Sequence, residues 1–131
     1  MNPDGSPHVT PIGSLLLDAN ETKGVYFEIF TQQLRKNIES NPKVCVLATN
    51  SSRWFWVTSF FKGKFSMAPA FRLIGTAGVR RSATPEEIAR WEKRVRFLRP
   101  MKGYAMMWGN LTHVREIIFD RCEPVRLGKM T

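Results

Sequence analysis

The sequence predicts a mainly β protein in which a mostly antiparallel barrel carries a few short helices on its surface. Runs of β-branched and aromatic residues recur between clusters of Gly, Pro, Asn and Ser, the pattern of strands bounded by turns. The runs follow one another along the chain, which favours antiparallel pairing over crossover connections. The clearest helix signal, Thr84-Pro85-Glu86-Glu87, comes late in the chain. With 131 residues the chain fits one domain, 1–131, long enough to bury a core without cross-links.

Asn2-Pro3-Asp4-Gly5-Ser6-Pro7 is turn chemistry and leads into an extended run from His8 to Leu17. Pro11 cannot donate to a ladder, so it belongs at an edge or a bulge. A turn normally has a strand on each side, and here the strand before it is either missing or supplied elsewhere. After the polar loop Asp18–Gly24, an apolar strand runs from Val25 to Phe30. Thr31 then caps a short helix over Gln32–Ser40, with Leu34 and Ile38 sharing a face and Asn41-Pro42 stopping it. Lys43–Thr49 reads as the next strand, and Arg53–Phe61, dense in aromatic and β-branched residues, as another. Phe71–Val79 alternates as a strand, with Gly75 and Gly78 marking a bulge or a close backbone approach.

The helix that follows has Thr84 as cap, Pro85 at its first position and a glutamate in capping-box order, then an apolar stripe of Ile88, Trp91, Val95 and Leu98. Glu86 with Arg90 and Glu92 with Arg96 are spaced as i,i+4 ion pairs. Tyr104, Met107, Trp108 and Leu111 suggest a short further helix. The last long strand runs over His113–Arg121 and is extended past Pro124 by Cys122–Gly128. The whole amounts to about six strands and two or three short helices.

Twenty Lys and Arg against eleven Asp and Glu give a formal charge of +9, a surface that attracts nucleic acid, acidic lipid or a phosphorylated ligand. The basic face Arg90, Lys93, Arg94, Arg96, Arg99 and Lys102 is read as a solvated helix face; few exposed aromatics accompany it, which disfavours nucleic acid. Cys45 and Cys122 are too few and too far apart for a zinc cluster or a disulfide framework, and Cys45 is expected to pack as a small hydrophobe. Apolar runs fall well short of the ~20 residues that span a bilayer and no signal peptide is evident, so the expectation is a soluble cytoplasmic protein. His8 and His113 have no helical histidine partner, and neither CxxC nor HxxE spacing occurs. Gly75-Thr76-Ala77-Gly78 lacks the lysine of a phosphate loop. No side chain is therefore assigned a catalytic role, no metal site is expected, and an enzyme built this way must borrow reactivity from a cofactor. The stretch Tyr26–Ala48 can supply an anion cradle, because Thr31 opens a helix whose free N–H groups and dipole favour negative charge, with Arg35 and Lys36 adjacent.

The order of motifs over nearly the whole chain resembles the pyridoxamine 5'-phosphate oxidase-like proteins, the FMN-binding split barrels. The resemblance rests on Asp4-Gly5-Ser6-Pro7-His8-Val9-Thr10-Pro11-Ile12, on Tyr26-Phe27 before the short helix, and on Asn37-Ile38 with Asn41-Pro42-Lys43-Val44. It implies a split β-barrel, here lacking the usual first strand, that forms a homodimer with FMN at the subunit interface and performs flavin redox chemistry. The cofactor-binding residues it implies are Val9, Thr10, Pro11, Ile12 and Gly13 along the flavin ring, Thr31, Arg35, Lys36 and Asn37 about the phosphate, and Phe27. Trp54, Trp56 and Trp108 are the candidate stacking walls. Mapped by the Asn37 and Asn41-Pro42 anchors, the family's phosphate lysine falls on Leu34 and a frequent arginine on Gln32. This departure keeps open a non-catalytic split barrel that binds deazaflavin, haem or no cofactor. No motif specifies a small-molecule substrate.

Overall fold

A computed structural model describes residues 1–18, 22–108 and 111–131. Among these the chain forms strands β1 (Leu16–Leu17), β2 (Lys23–Phe27), β3 (Lys43–Thr49), β4 (Ala70–Ser82) and β5 (His113–Pro124). The α-helices are α1 (Gln32–Ser40), α2 (Arg53–Lys62), α3 (Pro85–Val95) and α4 (Lys102–Trp108). One antiparallel sheet has the order β1-β2-β5-β4-β3, with β1 and β3 as its two edges.

Alternation along the strands divides the sheet into two apolar faces. Val25, Phe27 and Val114 point to the side where α3 brings Trp91 and Val95, and where Tyr104 and Trp108 of α4 pack. Tyr26, Leu73, Ala77, Ile117 and Phe119 point to the other side, against Ile38 and Leu34 of α1. The register of β4 on β5 shifts between Ile74 and Gly75 and again between Ala77 and Arg80. A Cβ at Gly75 would stand 2.2 Å from the Ile118 carbonyl oxygen, so glycine is required where the strands meet, as the sequence suggested.

α1 has the bounds the sequence gives it. α3 carries the expected capping box, with the Glu87 N–H donating to Thr84 Oγ1 and the Thr84 N–H to Glu87 Oε1. The expected pairs Glu86–Arg90 and Glu92–Arg96 do not form. Glu87 instead takes a bidentate ion pair from Arg81 of β4 at 2.7 and 2.8 Å, and Arg90 reaches the Leu17 carbonyl.

Other expectations are corrected. Arg53–Phe61 is helix, not strand: Ser52 Oγ accepts from the Phe55 N–H, Gly63 closes the far end at φ 69°, and both ladder edges of β4 are already taken by β3 and β5. Local caps and the absence of a free neighbouring edge thus override aromatic β-propensity. Of the extended run His8–Leu17 only Leu16–Leu17 pairs, because Pro11 breaks the donor row and no further strand lies beside it among the described residues. The strands among the described residues are accordingly five, not six. In the polar loop expected over 18–24, Lys23 and Gly24 already belong to β2, and 19–21 lie outside the described residues. Cys45 is exposed, since it lies on the outward face of the edge strand β3. Leu111, grouped with Trp108 in the sequence, packs against the α3-side core beyond the helix end.

Candidate functional site

Beyond Phe27 the chain leaves β2 through Glu28, Ile29 and Phe30 and enters α1 at Thr31. Phe30 has φ 56°, a left-handed conformation that is unusual for a bulky residue, and its ring is exposed. Backbone outliers of this kind collect at ligand sites and switches. Thr31 is buried, yet its side chain makes no capping bond, and the first turn of α1 holds no acidic residue. The N–H groups opening α1 are therefore uncapped by any side chain, and the helix dipole adds to their positive field. One turn on, Arg35 pairs with Glu39 at 3.3 Å, while Lys36 is exposed and has no ion pair among the described residues.

Beside this corner, on the same face of the sheet as α1, lies a buried polar group that sequence reasoning missed. Glu28 Oε1 accepts from Arg115 Nε at 2.8 Å and Glu28 Oε2 from Arg80 Nε at 2.6 Å. The side chains of Glu28 and Arg115 are 3% and 4% exposed. Arg80 and Arg115 are direct cross-strand partners, and two cations so placed repel; Glu28 bridges them. Arg115 also donates from Nη1 to the Gly78 carbonyl at 2.9 Å, an acceptor set by the β4 bulge. Tyr26, opposite Arg115 in the β2–β5 ladder, has its phenol pushed up to about 12, first by burial and then by the Glu28 charge. It stays protonated near neutrality. Tyr26 Oη and Arg115 Nη2 are both buried, and the guanidinium acts on the phenol against the Glu28 charge. The available signal was a charge at an inward position of each strand: Glu28 and Arg115 follow the alternation of Tyr26 and Ile117.

The structure brings only part of the expected site together. Asn37 is buried and engaged at both ends, donating from Nδ2 to Asn2 Oδ1 and accepting from Gln33 Nε2, each at 2.9 Å. It ties the N-terminal turn to α1. Ile12 packs against the α1-side core, which places 8–13 on the same side as the corner, but as an unpaired loop. Val9 is 91% exposed, Pro11 and Gly13 are exposed, and Thr10 Oγ1 is bonded to His8 Nε2 at 2.6 Å. Phe27 and Trp108 lie on the opposite face: Phe27 is core, and Trp108 meets Trp91 and Tyr104 edge-on. Trp54 and Trp56 are on α2, Trp54 outward and Trp56 half-buried with Nε1 donating to the Asn50 carbonyl at 2.8 Å. Two open clefts, of about 440 and 340 Å³, lie near α2 and the C-terminus rather than at the corner.

A mainly antiparallel sheet of five strands, open between its two edges and carrying helices on both faces, is a split β-barrel fold. Among solved structures, the HupZ protein of Group A Streptococcus, crystallised with its affinity tags, superposes with a TM-score of 0.58 over 99% of this chain and 83% of its own, at 20% identity. The likeness at that identity is one of fold. No family model and no curated protein matches the sequence. No metal-binding cluster of His, Cys, Asp or Glu occurs among the described residues, and no described helix is long and apolar enough to cross a membrane.

Proposed function

We propose that this chain is an FMN-binding split barrel, a homodimeric flavoprotein oxidoreductase whose cofactor phosphate sits at the β2–α1 corner. The observation that carries the reading is the start of α1, uncapped by any side chain and free of acidic residues in its first turn, beside the strained and exposed Phe30. A phosphate fits these groups, since backbone N–H donors and the helix dipole supply a site before any side chain is counted. Lys36 and Arg35 add charge to it, and they offset the absence of a lysine at Leu34. Thr31 offers a hydroxyl, and Asn37, bonded to Asn2, ties the N-terminal turn to α1 rather than touching the ligand. Bound FMN would supply the one- and two-electron chemistry, and the protein's groups would orient it and exclude water. A second copy would cover the open edges of the sheet, β1 and β3.

Titration with FMN, followed by flavin fluorescence and thermal stabilisation, tests this. The second reading is a non-catalytic barrel that holds haem or a deazaflavin, and Leu34 at the lysine position favours it. Melting shifts measured with FMN, deazaflavin and haem in parallel separate the two, because only a ligand bound to the native state raises stability.

A further inference from the structure

Helix α2 is apolar around most of its circumference but packs on one side only. Phe55 and Trp56 rest on Phe65, at ring distances of 5.8 and 5.5 Å, and Ser59 is the one buried residue of the helix. On the other side Trp54, Val57, Phe60 and Phe61 are 75, 58, 67 and 93% exposed. At 100° per residue these four span roughly a third of the helix surface, a contiguous aromatic stripe. The charges of the segment that carries it are all positive: Arg53 and Lys62 end the helix, Lys64 follows it, and no Asp or Glu occurs between Glu39 and Glu86. The cleft of about 340 Å³ lined by Thr58, Ser59, Lys62, Lys64, Phe65 and Ser66 lies on the packed side of the helix, turned away from the stripe.

We propose that α2 docks this protein on a bilayer surface containing acidic phospholipid, with Trp54, Phe60 and Phe61 seated at the headgroup boundary and the flanking Arg53, Lys62 and Lys64 attracting its phosphates. Aromatic side chains with flanking lysine and arginine are the composition of an interfacial helix, and these cations complement an anionic leaflet. A second copy is the poorer occupant of this face. A two-fold contact is isologous, so it would set Arg53, Lys62 and Lys64 of one copy against the same cations of the other with no acidic residue of this segment to pair them. The inference does not depend on which cofactor the barrel holds.

Co-sedimentation of the full chain with vesicles tests it, using phosphatidylcholine alone and phosphatidylcholine with roughly a third phosphatidylserine. Binding is expected to the second and not the first, and to weaken as salt is raised. Lys62→Ala with Lys64→Ala should lower the partition coefficient roughly 25-fold, about fivefold for each charge. Phe60→Ser with Phe61→Ser should abolish binding while leaving the unfolding transition in place, because both rings are exposed. Equal binding to the two vesicle types, or binding that survives both double variants, overturns the proposal. So does a dimer in sedimentation equilibrium that the Phe60/Phe61 variant converts to monomer, which assigns the face to a second copy. Preference for a single-stranded oligonucleotide over the acidic vesicles also overturns it.

Discussion

Glu28→Leu removes the anion that two arginines share. In the native structure the carboxylate accepts from Arg115 at 2.8 Å and from Arg80 at 2.6 Å, and burial leaves water unable to replace it. The variant strands the buried Arg115 guanidinium without an anion, leaving it the Gly78 carbonyl and the neutral Tyr26 phenol. Breaking a buried pair from one side costs about 3–5 kcal/mol, a large part of the roughly 5–15 kcal/mol that holds a domain of this size. Arg115→Met should cost less, because Glu28 keeps Arg80, which is one-third exposed. The double variant should recover part of the single loss, since an apolar pair of similar volume replaces a buried ion pair at little net cost. Urea unfolding of the wild type, both single variants and the double variant, followed by tryptophan fluorescence, completes the cycle. Additive single losses below about 1 kcal/mol would refute the role assigned to this pair.

The β4 bulge gives a paired test. Gly75→Ala drives a methyl to within 2.2 Å of a backbone oxygen and should destabilise by about 1–3 kcal/mol, whereas Gly78→Ala meets its nearest atom at 3.3 Å and should cost clearly less; equal urea midpoints for the two would count against the close approach. Arg81 holds the Glu87 carboxyl at about 2, below its ordinary 4.5, helped by the Thr84 N–H. A depressed carboxylate contributes above its unfolded value and loses that contribution as pH falls through 4.5 towards 2. The full shift corresponds to about 3 kcal/mol, which the 37% exposure of Arg81 reduces to about 1–2 kcal/mol. Melting temperature should therefore fall over that window in the wild type and less steeply in Arg81→Met, and parallel curves would remove Glu87 as the cause.

Where local chemistry agrees with the tertiary structure, the sequence was legible. Asn41-Pro42 ended α1, Thr84 and Glu87 fixed the start of α3, and Gly75 announced the bulge. α2 was misread because Trp, Phe and Val score as strand formers while the decision lay with Ser52, Gly63 and the occupied edges of β4, a fact of topology. The run from His8 failed as a strand for the same kind of reason, since a strand needs a neighbour and Pro11 sits in it. At the candidate site, α1 starts where the sequence put it after Thr31, although the Thr31 side chain makes no capping bond. The partnership of Glu28 with Arg80 and Arg115 was not readable, because it joins the residue just past β2 to β4 and β5 across 52 and 87 residues of sequence, and only the tertiary arrangement sets them side by side.

The β2–α1 corner as the seat of a flavin phosphate is tested most directly by titrating FMN into the wild type and into the Arg35→Ala, Lys36→Ala double variant, with quenching of flavin fluorescence as the readout. A saturable wild-type isotherm is the result predicted, with affinity in the variant lower by about one to two orders of magnitude for each charge-assisted hydrogen bond removed. No binding by the wild type, or equal affinity in both proteins, would contradict it.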